Sequence, residues 1–422
     1  MKKASVIKRT LAVMTAAGLM AGAAAPGAVL ADDDFPVLIS SNPLAEEEPV
    51  SVIAPAPTEE ELVVIAPAPT VEVVQLVEYT IQGDKTFTKT LTDEATNTTV
   101  NITATYPYVR VKGNASLAKA IRTSLKAGAF TQIVNKYKGY LQSGDVLPTD
   151  SVINVEVTYD AENITRSGNI ASFEFNVSAY VEGGAYPANA AKVVNINLST
   201  GNRITLGFLF KKAAAVKEFA AQYAKDYADA LYAEAAGFME DMPEIASEYS
   251  FLGDIAVDDI LQAVDIYSVK FSWEGMELVL DETDGLWPHA FGTQKVFIPY
   301  EDYCSYLKDS RTQLIRPYSV EVIDLEYNSG TGYMWTDASE AGEDACLELI
   351  YEGSYALNRT AIMLAGGRQR QVLVYKAVEA GRQTIRYELR RSWETDGEPA
   401  DSYERNLIVT DTMFITDDNG EV

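Results

Sequence analysis

Side chains able to do covalent or metal chemistry are scarce in this chain. Its 422 residues include one histidine, His289, and two cysteines, Cys304 and Cys346. A Ser-His-Asp or Cys-His site would have to be built on His289. The surrounding DGLWPHAFGTQKVFIPY places no nucleophile beside it in sequence. One His and two Cys also fall short of a structural zinc site. The expectation is therefore no enzyme, no metal and no cofactor. The cysteines leave two readings open. They could pair, adding roughly 3–4 kcal/mol by loop closure, or stay as separate thiols.

A different chemistry, that of recognition, is written into three segments near the C-terminus. The first is Asn328-Ser329-Gly330-Thr331-Gly332-Tyr333-Met334-Trp335, a polar turn between apolar runs. The second is Ala365-Gly366-Gly367, preceded by Met363-Leu364. The third is Arg391-Ser392-Trp393, where a strand-like run ends in a cation and an aromatic. Glycines let backbone approach a partner closely and adopt positive φ. Tyr, Trp and Arg are the residues enriched where interfaces hold most of their energy. Each segment alone also has an ordinary explanation, as a tight turn or a surface cation–π pair.

The elements that must position these segments are strands. From Arg316 onward the runs YSVEVIDLEYN, ACLELIYEGSYAL, RQVLVYKAV, QTIRYELRR and YERNLIVTDTMFI alternate and are separated by turns. Ile385, Tyr387 and Leu389 fall on one side of such a strand and Arg386, Glu388 and Arg390 on the other. About 100 residues of this kind point to a β-sandwich. Upstream the pattern is α+β. Strand-like VEYTIQ, KTFTKTLT and TTVNITATYPYV precede helical spacing from Leu117 to Leu141, interrupted by Gly128. SVINVEVTYDA and IASFEFNVSAYVEG read as strands, and AKVVNINLSTGNRITL as a hairpin. A long helix over about 211–240 follows, then IYSVKFSWEGMELVLD and TQKVFIPYEDYCSYL.

Composition bounds the setting. Apolar residues make up 47% of the chain, and its formal net charge is −27. Like-charge repulsion argues against a nucleic-acid or anionic-lipid partner. Basic residues Lys2, Lys3, Lys8 and Arg9 precede an apolar Leu11–Ala25 stretch, and Val29-Leu30-Ala31 has the small residues of a cleavage site. A cleaved signal peptide over 1–31 is expected, with a retained anchor as the alternative. Nothing later is apolar for long enough to span a bilayer. Residues 32–75, with VIAPAPT twice, read as an extended Pro/Glu-rich linker. The protein is expected outside the cell or on its surface.

In order and spacing the three segments resemble the chagasin-type inhibitors of papain-like cysteine peptidases. The likeness covers roughly 318–416. It implies an immunoglobulin-like sandwich over 316–416 with three loops at one end. The central loop would enter the cleft of a papain-family cysteine peptidase and the other two would grip its rims. The residues so implied are Asn328, Thr331, Gly332, Tyr333, Trp335, Gly366, Gly367, Arg391 and Trp393. Ser329 stands where the family has Pro, Gly330 where it has Thr, Leu364 where it has Gly and Ser392 where it has Pro. Upstream, VEGGAYPANAAKVVNINLSTGNRITLGFLF and LWPHAFGTQKVFIPYEDY resemble the extracellular domain of the anti-sigma factor RsiV. YPYVRVKGNASLAKAIRTSL resembles the smaller domain that precedes it. The expected divisions are a small α+β domain at 76–148 and an RsiV-like α+β domain at 149–312. That likeness implies binding of lysozyme or a wall ligand. Tyr186 stands where such relatives have His.

Overall fold

The computed structural model describes residues 76–143, 147–239, 251–264, 268–280, 286, 292–339, 345–357, 367–393 and 397–417. The expected signal peptide and linker, His289 and Gly366 lie outside these residues. The described residues belong to one compact unit. Strands dominate, with a few helices, and three hydrophobic cores are stacked along the chain.

The first core lies under a mixed sheet. Strands β1 (Tyr79–Asp93) and β2 (Thr98–Val111) form a long antiparallel ribbon. The two runs expected within 77–92 are a single strand, bent by a bulge between Ile81 and Asp84. Next come β3 (Val152–Tyr159), β4 (Thr165–Ser167), β5 (Ile170–Val181) and β6 (Ala188–Asn197). The order is β1-β2-β3-β5-β4, with β6 also paired to β5. β2 and β3 run parallel from the Thr99–Val152 pair to Ala104–Val157. This ladder crosses the division expected between 148 and 149.

Two helices cover the sheet, α1 (Ala115–Lys126) and α2 (Gln132–Ser143), joined by a π-helical turn over Ala127–Thr131. The irregular turn sits where Gly128 breaks the helical spacing, and the reason is contact. A Cβ on Gly128 would come within 2.6 Å of Val194 on β6, so the helix pair rests on the sheet through bare backbone. The expected hairpin after β6 is half right. A turn forms, with Gly201 at φ 74°, but the return arm makes only an isolated bridge between Ile196 and Arg203.

The second core gathers α3 (Ala213–Met239), α4 (Val257–Ala263) and a three-stranded sheet of β7 (Val269–Phe271), β8 (Gly275–Leu280) and β9 (Gln294–Pro299). It is tied to the first sheet by Glu174 on β5. That carboxylate is 5% exposed and takes Lys270 Nζ at 2.7 Å and Lys295 Nζ at 2.8 Å.

The third core is the sandwich. β10 (Val320–Asn328), β12 (Leu347–Ala356) and β13 (Arg368–Ala377) form one sheet in the order β10-β13-β12. β11 (Tyr333–Asp337), β14 (Gly381–Arg391), β15 (Asp401–Val409) and β16 (Ile415–Asp417) form the other, in chain order. Ile385, Tyr387 and Leu389 point inward as their alternation requires. β10 and β13 of the smaller sheet are buried on both faces, while β12 at its edge buries only Leu347. Ile323, Leu325, Leu373 and Tyr375 fill the sandwich. Val320, Val322, Val372 and Val374 belong to the second core, packed with residues from 170 to 315. Cys304 and Cys346 are both free, buried thiols.

Two consequences can be measured. Burial pushes the Glu174 pKa up, but hydrogen bonds and charge from Lys270 and Lys295 outweigh it and hold the group below its ordinary value. A depressed folded pKa means stability that is present above the unfolded pKa and lost as pH falls through the carboxylate range. Glu174→Gln should cost about 3–5 kcal/mol in urea unfolding at pH 7, because it strands two lysines. The deficit should shrink toward pH 3; a deficit independent of pH would contradict the assignment. The isolated fragment 316–417 should self-associate in sedimentation, since the four valines lose their cover, each worth roughly 1.5–3 kcal/mol.

Candidate functional site

The first and third segments and Gly367 of the second meet at one end of the sandwich, and the register of the two sheets brings them there. β10 ends at Asn328 opposite Arg368, which places the first segment beside Gly367. β11 begins at Tyr333 opposite Arg391, which places the same segment beside the third. One turn thus bridges both sheets.

Its shape is set locally. Asn328 Oδ1 accepts the Gly330 N–H at 3.1 Å, and Thr331 Oγ1 donates to the Asn328 carbonyl at 2.7 Å. These bonds close a short 3₁₀ turn over Ser329–Thr331. The chain leaves it through Gly332 at φ 75°, a left-handed conformation that favours glycine. Both Ser329 N–H and Ser329 Oγ reach the Gly367 carbonyl at 3.3 Å, fastening the first segment to the second.

The third segment closes over this turn. The Arg391 guanidinium lies 4.7 Å from the centre of the Tyr333 ring and 6.0 Å from that of Trp393. The Trp393 indole packs directly on Gly332; a Cβ there would overlap the ring. With 66% of its surface exposed, Trp393 has the most open large apolar side chain among the described residues. The end of the domain is therefore a connected ridge: turn, Tyr, Arg, Trp.

The positions differ from the expectation in two places. Tyr333 is not part of the polar turn in which the sequence places it. It is the first residue of β11, half-buried against the sandwich core under Arg391. Trp335 presents no surface at all. It is 2% exposed, and its Nε1 donates to the Glu326 carbonyl at 2.9 Å. Both follow from a strand that starts at residue 333, because Tyr333 and Trp335 then share its inward face. Met334, between them, faces out with 48% exposed. Period-2 alternation carried through the segment would have found it. Asn328, Thr331, Gly332, Gly367, Arg391 and Trp393 do gather at this end. Gly366 lies outside the described residues.

Among the described residues the arrangement holds no nucleophile with a base beside it. Among the described residues no group of three His, Cys, Asp or Glu is placed to hold a metal ion. No helix of the described residues is long and apolar enough to cross a membrane, which says nothing of a β-barrel. Among the described residues this end presents the exposed Trp393 and Met334 and the guanidiniums of Arg391 and Arg368.

Residues 320–407 match the family model for chagasin family peptidase inhibitor I42. No curated protein matches the chain. Among solved structures, the chain is similar to a DUF3298 family member from Bacteroides fragilis, at 16% identity, 56% of this chain and 96% of that one, TM-score 0.29. A DUF3298 family protein from Pseudomonas aeruginosa is similar at 11% identity, 58% of this chain and 99% of that one, TM-score 0.34. A cysteine protease inhibitor from Entamoeba histolytica is similar at 22% identity, 21% of this chain and 77% of that one, TM-score 0.19.

The contact of Trp393 with Gly332 is open to test. Gly332→Ala would require positive φ of an alanine and push the indole away. It should lower stability by roughly 1 kcal/mol or more. It should also raise acrylamide quenching of the Trp393 emission, read as the difference from a Trp393→Phe partner. Unchanged quenching would mean that the indole does not rest on the turn.

Proposed function

We propose that this chain, whose residues 320–407 carry a chagasin family domain, is a secreted inhibitor of papain-like cysteine peptidases. The observation that carries the reading is the convergence of the first segment, the third segment and Gly367 on one ridge. Ser329 is bonded to Gly367, and Arg391 lies over both Tyr333 and Trp393. Inhibition would be reversible occlusion of the cleft, with no bond made or broken in the inhibitor.

In this reading the 3₁₀ turn over Ser329–Thr331 enters the cleft. Gly330 and Gly332 keep it narrow. Trp393 and Met334 supply exposed apolar area, and Arg391 a cation already held in place by a ring. A partner that meets a fixed ridge does not have to order it, so less affinity is lost on binding. Tyr333 and Trp335 act from inside, as supports. The N-terminal basic and apolar stretch would direct export and then be removed.

A second reading rests on the loop after β5. There Tyr186 is 54% exposed beside Gly183 and Gly184. In this reading the region upstream of the sandwich binds lysozyme or a wall ligand through that loop, and the sandwich is accessory.

The deciding experiment is the inhibition constant of the purified protein against papain. The inhibitor reading expects tight, reversible inhibition. Trp393→Ala should weaken it about 30-fold or more, as loss of an interface anchor does, with an unchanged melting temperature. Tyr186→Ala should leave it alone. A folded protein that does not inhibit at micromolar concentration would turn the search to ligands of the upstream region.

A further inference from the structure

The net charge hides a local reversal. Residues 76–143 hold nine Lys and Arg against four Asp and Glu, in a chain whose totals are 34 and 61. Elsewhere several cations sit on carboxylates. Lys270 and Lys295 hold Glu174, Arg370 approaches Asp324, and Arg316 and Arg405 hold Glu321. Among the described residues no carboxylate forms an ion pair with any of the nine cations of 76–143. Two of the four local acids are engaged otherwise: Asp84 accepts from Tyr159, and Asp93 from Thr96 at 2.8 Å.

Four of these cations share one rim, where α1 meets the β1–β2 ribbon. Three cations surround a single half-buried ring, that of Tyr108. Arg122 lies 4.6 Å from its centre, Lys85 5.3 Å and Arg110 5.9 Å. Lys126 stands 3.8 Å over Phe87, on the next position along the same face of β1. Arg122 is fixed by donating to the Val109 carbonyl at 2.8 Å. Lys85 and Arg110 are exposed. At physiological ionic strength fields fade over roughly 8 Å, so a ligand at this rim meets these four cations and little of the distant acidity.

We propose that this rim binds an acidic polysaccharide. Four unpaired cations spread over two rings suit a chain with repeated anionic groups better than a single ion. Both rings have a cation over them, so neither is free to stack a nucleobase as single-stranded nucleic acid requires. None of the large exposed apolar side chains lies at the rim, so nothing there would insert into a bilayer. A sugar chain needs neither. Its anionic groups meet guanidinium and ammonium, and its hydroxyls bond to water or backbone. The rim is remote in sequence from the inhibitory ridge, and this proposal stands whether or not the chain inhibits a peptidase.

The test uses the full chain and labelled heparin, a sulfated glycan, as probe, with dextran and polyglutamate beside it. Heparin should bind, more weakly as salt rises, and dextran should not. Lys85→Gln/Arg110→Gln, both at exposed positions, should weaken binding on the order of tenfold. Lys136→Gln/Lys138→Gln, on α2, should leave it within twofold, and melting temperatures should report that both variants fold. No binding of heparin overturns the proposal. So does equal loss in the two variants, or binding of dextran. Polyglutamate bound as tightly as heparin would also overturn it, in favour of an acidic peptide.

Discussion

The interaction on which the rest depends is the double burial of the paired strands β10 and β13. A strand has two faces, and a sandwich needs only one of them. Here the other face is taken by the second core, through Val320, Val322, Val372 and Val374. The two strands that end at Asn328 and follow Gly367 are thereby clamped from both sides. Polar groups at its margins are answered as well. Glu321 meets Arg316 and Arg405, and Asp324 accepts from Tyr355 at 2.8 Å. Tyr351 donates to Asp309 at 2.6 Å across the same contact. A loop grown from so fixed a sheet has little freedom in where it starts.

This clamp also explains what could be read from the sequence and what could not. β14 was legible because it is half-buried: Ile385, Tyr387 and Leu389 alternate with Arg386, Glu388 and Arg390. β10 and β13 are buried on both faces, Glu321, Asp324 and Gln371 included, so nothing in VEVIDL and QVLVY says which valine meets which core. The three segments were legible as a set, since their residue types suit recognition. Their division into surface and support was not. Whether Tyr333 is turn or strand depends on where β11 begins, and that is decided by pairing with Arg391, fifty-eight residues away. The helix break at Gly128 was visible. The Val194 side chain that requires the glycine was not, because contacts between distant elements leave no local trace.

Net charge misleads in the same way, by averaging. A formal −27 argues against a polyanionic partner only if the charge is spread evenly. It is not. In the sandwich and the core before it several buried carboxylates, Glu174, Glu321 and Asp324 among them, hold their own lysines and arginines. The first module keeps its cations free around Tyr108 and Phe87. Screening makes the local count the relevant one.

The ridge shows how a departure from a family pattern can be offset elsewhere in the fold. Proline at position 329 would stiffen the turn covalently, but it has no N–H to give. Serine lacks the ring and gives two donors instead, N–H and Oγ, both directed at the Gly367 carbonyl. Stiffness within one loop is exchanged for a link between two. The exchange works only because Asn328 and Arg368 are already paired in register, so that the carbonyl is in reach. That register is held by the doubly buried strands. The geometry of the turn therefore traces back to four valines packed into the second core, and a change in that packing should be felt at the ridge without any residue of the ridge being touched.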